Sequence, residues 1–206
     1  MKQEDTKEKI LRESLKLFSE KGFDATSVGE IASAVGIRAP SLYNHYKSKQ
    51  AIFDAIFEDT SKRYDDFTAK LSVHVENADG DVDQFETITA DKLVEMVRAI
   101  FIYSLDDEMV SAFRKMMTIE QFRSDDLAKL YSERYFERIK NYHAGLFKRL
   151  ISAGRIKNLD PDTLALIYVS PFLTLLSVCD RQPERRDECL AMLESSVRCF
   201  FDNFNR

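Results

Sequence analysis

The sequence predicts an all-α protein, and three observations carry that expectation. Glycine and proline are scarce, with 6 Gly and 4 Pro in 206 residues, too few for the closely spaced turns of a sandwich or barrel, whereas long helices need little punctuation. Apolar residues recur at helical spacing in segment after segment. Cap signals bracket those segments, with Ser, Asp or Pro at their starts and Gly at several ends. At 44% hydrophobic and 32% charged residues, the chain can bury a substantial core or split into two domains.

The first helix is expected over Thr6–Lys21, with Ile10, Leu11, Ser14, Leu15 and Phe18 on one face and charges on the other. Gly22 ends it. Ser27 and Glu30 then form a capping-box pattern that starts a second helix over Val28–Val35, with Val28, Ile31, Ala32 and Val35 turned inward. Gly36 permits a sharp turn, and Pro40 suits the first turn of a short third helix that continues through residues 41–46. Helix, turn and short helix together form a helix-turn-helix pattern. The exposed residues of the third helix are hydroxyls, an amide, an imidazole and phenols, with almost no carboxylate, a set suited to nucleic acid. Ser48 caps a fourth helix that runs to about residue 71.

Residues 72–88 are polar and acidic and are expected to form a loop. Asp79, Asp81 and Asp83 echo a calcium loop, but Gln84 stands where Gly is required and Ala90 where a bidentate Glu is required, so the reading is a solvated loop without metal. Further helices are expected at about 90–104, 107–122, 125–153, 161–178 and 185–204. The long one carries Leu127, Leu130, Tyr131, Ile139, Tyr142, Leu146 and Leu150 as one stripe and stops at Gly154. Asp160 and Pro161 open the next, which Pro171 should kink.

Net charge is −5, but it is unevenly spread: residues 1–50 hold nine Lys and Arg against seven Asp and Glu, and the remainder holds 21 against 28. Phosphate attraction responds to local charge within a Debye length of ~10 Å, so the positive segment is the relevant one. Residues 1–20 contain no apolar run of signal-core length, and the apolar stretch 164–178 is short for a bilayer core of about 20 residues. A cytoplasmic protein without membrane contact is expected. Cys179, Cys189 and Cys199 form no CxxC pair and are read as reduced packing thiols. His45 has no His or Cys at ligand spacing, and neither metal nor cofactor is expected. No nucleophile with an adjacent base, no HExxH and no phosphate-cradling glycine loop is present, which argues against an enzyme.

The run Thr26-Ser27-Val28-Gly29-Glu30-Ile31-Ala32, then Val35-Gly36-Ile37, then Ser41-Leu42-Tyr43-Asn44-His45-Tyr46-Lys47-Ser48-Lys49, resembles the TetR family of transcriptional regulators over about residues 5–60. Two departures bear on base reading: Arg38 stands where a capping Ser or Thr is common, and Pro40 replaces a frequent Gly. The resemblance implies a helix-turn-helix DNA-binding domain over residues 4–64, with its motif at about 27–46. A larger helical ligand-binding and dimerisation domain would follow over 65–206. It further implies a regulator of a (pseudo)palindromic double-stranded operator, a repressor released by a small-molecule inducer. An activator, or a DNA-bound interaction protein without inducer, is the alternative.

By the same resemblance, Thr26, Ser27, Tyr43, Tyr46, Lys47 and Lys49 would hold the phosphate backbone, and Arg38, Ala39, Ser41, Asn44 and His45 would face the major groove. Arg38 is read either as a bidentate partner of guanine or as a phosphate or solvent contact, and Tyr43 either as a phosphate contact or as core. In the second domain, Leu164, Ile167, Tyr168, Phe172, Leu175 and Leu176 on one helix, with Leu190, Leu193, Val197 and Phe200 on the next, suggest an intersubunit four-helix bundle of a homodimer; the alternative is that the chain's own helices cover them. Phe101, Tyr103, Phe113, Met116, Met117, Phe122, Tyr131, Tyr135 and Tyr142 could together line an apolar ligand pocket, although any one of them is more readily read as ordinary packing.

Overall fold

A computed structural model describes residues 5–204; positions 4 and 206, the outer limits of the two expected domains, lie outside the described residues. The described residues are all-α and contain no extended strand. The helices are α1 (Thr6–Lys21), α2 (Val28–Val35), α3 (Ala39–Tyr43), α4 (Lys49–Ala69), α5 (Ala78–Thr87), α6 (Ala90–Asp106), α7 (Glu108–Glu120), α8 (Asp125–Ser132), α9 (Arg138–Ser152), α10 (Pro161–Arg181) and α11 (Arg186–Phe204). A π-helical turn occupies Glu133–Glu137 and a 3-10 turn Pro183–Arg185. The chain forms two compact units: residues up to Tyr64 with Asp107–Lys129, and Asp65–Asp106 with Leu130 onward.

In the first unit, Ile10, Leu15 and Phe18 of α1 are buried together with Ile31, Val35, Leu42 and Ile52, and with Phe113, Met116 and Met117 of α7. α7 packs along α1. Phe23 follows α1 and lies between Phe18 (5.2 Å) and Phe53 (5.3 Å), and Phe53 in turn meets Phe113 (5.7 Å). Gly22 is required where it stands: its φ is +90°, and a Cβ there would lie 2.6 Å from Arg123 Nη1 and 3.0 Å from Glu120 Oε1. Those two side chains form an ion pair at 2.7 Å that brings the end of α7 against the end of α1.

The expected capping box opens α2. Glu30 N donates to Ser27 Oγ at 3.2 Å, and Glu30 Oε2 accepts both Ser27 N and the Ser27 hydroxyl at 2.8 Å. Lys21 reaches the other carboxylate oxygen at 2.6 Å. The Lys21 ammonium, followed by the Ser27 amide and hydroxyl, pulls the Glu30 carboxyl down to about 2.

The second unit differs from expectation at residues 72–88, which are largely helical. Asn77 caps Gly80 N at 3.1 Å, and Asp79 and Asp81 occupy the first turn of α5, where negative charge favours a helix. The acids are engaged rather than solvated. Arg149 of α9 donates twice to Asp79 (2.7 and 3.0 Å). Asp81 is 2% exposed, accepts His74 N at 2.7 Å and the Tyr142 hydroxyl at 2.5 Å, and faces His74 Nδ1 at 2.6 Å. Burial, then the Asp81 carboxylate, pushes the Tyr142 phenol above its ordinary value, so Tyr142 stays a donor.

The helix expected at 125–153 is interrupted by the π turn, which absorbs an extra residue and breaks the expected stripe. Tyr142, Leu146 and Leu150 are buried, whereas Leu127, Leu130, Tyr131 and Ile139 are only partly so. α6 and α11 run antiparallel and are pinned along their length by Asp91–Arg198, Arg98–Glu194 and Asp106–Arg186. α10 is capped by Asp160, which accepts Thr163 N at 2.8 Å. At 21 residues α10 outruns the apolar stretch expected from the sequence, and it is long and apolar enough to cross a bilayer. Its Leu164, Ala165, Val169, Leu175, Leu176 and Cys179 are nevertheless buried in the chain's own core.

Two outcomes follow from these contacts. Asp81→Ala leaves the Tyr142 hydroxyl and the His74 amide without their acceptor and should lower unfolding stability by about 3 kcal/mol; Asp81→Asn should lose less, and urea titration compares the two. Because the Glu30 pKa is depressed in the folded chain, its contribution is complete above its unfolded value of 4.5 and vanishes as pH falls through about 2. The gap in melting temperature between wild type and Glu30→Ala should therefore be constant near neutrality and close between those two pH values.

Candidate nucleic-acid interface

The turn between α2 and α3 depends on Gly36, whose φ and ψ of 80° and 29° are left-handed. Its amide bonds Ser33 O at 3.1 Å and the Ile37 amide bonds Ala32 O at 2.9 Å, closing α2 and redirecting the chain. Arg38 then takes an extended backbone (φ −81°, ψ 149°) as the residue before α3 and makes no side-chain cap bond. Its carbonyl accepts Ser41 N (2.9 Å) and Leu42 N (3.2 Å), and Leu42 O accepts His45 N and Tyr46 N (2.9 and 3.0 Å). Leu42 is completely buried beneath the helix.

The outer side of α3 carries Arg38, Ser41, Asn44 and Lys47, all exposed, and Tyr43, 51% exposed; Ala39, His45 and Tyr46 are half-buried. No carboxylate occurs between Glu30 and Asp54, whereas Arg38, Lys47 and Lys49 all fall in that interval. Burial first, then Asp5 and Asp59, raises the Tyr46 phenol above its usual range, which keeps it a hydrogen-bond donor.

Thr26 and Lys49, two of the expected phosphate contacts, sit otherwise than their residue types suggested. Thr26 is 1% exposed, and its hydroxyl donates to Gly22 O at 2.9 Å, so it braces the connection to α2 from inside. Ser27 is exposed, with its hydroxyl engaged in the capping box. The Lys49 ammonium points back into the unit, bonding Phe23 O (2.6 Å) and Asp24 O (3.2 Å) and lying 4.4 Å from the centre of the Phe23 ring.

The expected pocket residues are divided between the two units. Phe113, Met116 and Met117 are core of the first unit, Phe113 against Phe53 and Phe57, because α7 packs on α1. Phe122 is 85% exposed. Phe101 lies in the second unit's core against Phe172, Tyr142 is engaged by Asp81, and Tyr131 meets Tyr135 at 5.0 Å. A cleft of about 440 Å³ in the second unit has a wall formed by Leu71, Gln84, Ile88, Lys92, Glu95 and Met96. Reading residues 72–88 as a loop hid this wall. Among the described residues no group of three or more His, Cys, Asp or Glu could hold a metal ion.

Most of the expected dimer residues are also spoken for. Leu164, Leu175, Leu176, Leu190, Leu193, Val197 and Phe200 are buried within the single chain, and Tyr168 and Phe172 are half-buried, with Tyr168 against His143, Phe147 and Phe200. Ile167 remains exposed, joined by Leu166 on α10 and Met192 on α11. The spacing of exposed positions 163, 166, 167 and 174, with half-buried 170 between the last two, marks that outer face.

The family model described as bacterial regulatory proteins of the tetR family matches residues 10–56, which encloses α2, Gly36 and α3. The negative transcriptional regulator IcaR of the biofilm operon icaADBC in Staphylococcus aureus is 46% identical over 48 residues, 23% of this chain and 26% of IcaR. The transcriptional regulator AcrR of Shigella flexneri is 44% identical over 55 residues, 27% of this chain and 26% of AcrR. The matched segment thus spans about a quarter of the length of these curated relatives. A solved complex of SmeT with triclosan superposes with a TM-score of 0.71 at 21% identity, covering 98% of this chain and 93% of SmeT, which is the repressor of a Stenotrophomonas maltophilia multidrug efflux pump. Residues 10–56 therefore match the model of the tetR family of bacterial regulatory proteins, and the chain as a whole shares the fold of the solved SmeT complex.

Proposed function

We propose that the protein is a cytoplasmic, sequence-specific DNA-binding transcriptional regulator, a homodimeric repressor that a small-molecule inducer releases from a (pseudo)palindromic double-stranded operator. The carrying observation is the outward face of α3, free of carboxylates and rich in donors, set over the fully buried Leu42. The DNA-reading elements lie within residues 4–64, and the ligand-sensing and dimer-forming elements within 65–206. IcaR, matched over the reading segment, is a negative regulator, and SmeT was solved with a bound small molecule; both support the repressor and inducer parts of the reading.

In this reading Arg38, Ala39, Ser41, Asn44 and His45 address base edges, while Ser27, Tyr43, Tyr46 and Lys47 hold phosphates. The guanidinium of Arg38 has the fork that pairs with a guanine edge, and the residue is exposed with no side-chain cap bond. Two copies would associate through Leu166, Ile167 and Met192, the apolar residues of α10 and α11 that the chain leaves exposed. An inducer acts to the extent that it binds the DNA-released state more tightly than the DNA-bound state.

Selection of bound duplexes from a random pool tests the reading. Inverted half-sites centred about 10 base pairs apart, or a multiple of that, are the expected outcome. Arg38→Ala should lose about 1–3 kcal/mol of discrimination at one position per half-site, whereas Lys47→Ala should weaken binding to all sequences alike and lower the salt slope by about one. Failure to enrich any sequence at low salt would refute sequence-specific binding. For the dimer, Ile167→Asp combined with Met192→Asp should give a folded monomer by sedimentation velocity, and a monomeric wild type would remove the interface.

A further inference from the structure

We propose that Lys49 is a positioning residue that straps the α1–α2 connection to the first turn of α4 and so sets where α2 begins, rather than a neutraliser of phosphate charge. An ammonium has three donors and no acceptor. Here two of them go to carbonyl oxygens 25 and 26 residues away, Asp24 O at 3.2 Å and Phe23 O at 2.6 Å, and the charge rests 4.4 Å from the Phe23 ring centre, on its electron-rich face. Reaching a phosphate would require leaving all three.

The strap is anchored at both ends. Phe23 is held between Phe18 and Phe53, so its carbonyl does not drift. The same carbonyl accepts Thr26 N at 3.3 Å, and Thr26 in turn donates its hydroxyl to Gly22 O. Residues 22–26 therefore form one braced corner, and the next residue, Ser27, is the cap of α2. Lys49 is the first residue of α4, where a helix disfavours positive charge. The two carbonyls and the ring supply the compensation that the helix end withholds. Lys47, two residues earlier, is exposed and has no hydrogen-bond or ion-pair partner among the described residues, which makes it the natural control.

Competitive labelling of the free full-length protein with a small amine-acylating reagent, read by peptide mass spectrometry, tests the strap directly. Because acylation must wait for the strap to open, Lys49 should react about tenfold more slowly than Lys47. Adding a random-sequence duplex of roughly three helical turns should slow Lys47 and leave Lys49 unchanged. A Lys49 as reactive as Lys47 in the free protein and protected by the duplex overturns the inference.

A second measurement, which rests on the proposed DNA binding, compares variants on the same duplex. Lys49→Met and Lys49→Gln should melt earlier than wild type yet keep its salt slope, while Lys47→Ala should keep the melting temperature and lose about one unit of slope. Lys49 variants that melt like wild type and lose that unit also overturn it. If Lys49→Met does not fold, the labelling of wild type decides. A wild type that binds no duplex refutes the regulator reading and leaves the labelling result standing.

Discussion

A five-residue helix has no stability of its own, because nucleation fixes several residues for each hydrogen bond gained. α3 exists only because Leu42 is buried beneath it, because Gly36 turns the chain into it, and because Leu42 O collects the amides of His45 and Tyr46. The face it presents is therefore a property of the whole first unit. α1 supplies Ile10, Leu15 and Phe18 below, α7 and the turn after it supply Phe113 and the Glu120–Arg123 pair at the far end of α1, and the corner at residues 22–26 fixes the start of α2.

Charge is handled by the same logic of local placement. The chain is acidic as a whole, yet much of that acidity is bound within elements: α6 to α11 through three ion pairs, and α5 to α9 through Asp79 and the buried Asp81. Ion pairs at such partly exposed sites add little stability each, but they leave fewer unpaired carboxylates. What faces outward around α3 is consequently governed by Arg38 and Lys47 and not by the net charge of −5.

The front of the chain was legible because its signals are local. The Ser27–Glu30 box, Gly22, Gly36 and the inward residues Ile31, Ala32, Val35 and Leu42 each specify backbone or burial within a few residues and stand as read, while Val28, also expected inward, is half-buried at the first position of α2. α5 was not legible. Its acids look like loop composition, and only long-range partners, Arg149 and Tyr142, reveal that they serve a helix start and a buried bond. The π turn hid for a related reason, since one extra residue leaves apolar composition intact while breaking its phase. The roles of Thr26 and Lys49 lie beyond residue type, because a hydroxyl or an ammonium suits a phosphate and a backbone carbonyl equally well; direction alone separates them.

The cysteines are arranged so that one of the three differs from the others in access. Cys179 and Cys189 are buried, and burial together with the neighbouring Cys189 pushes the Cys179 thiol up to about 11, which leaves it a poor nucleophile. Cys199 is exposed, seven residues beyond Met192 and so on the same side of α11. A maleimide dye consequently meets a single attachment point on the folded chain, and the bulk of the adduct becomes a graded handle on that side of the helix without any change of sequence.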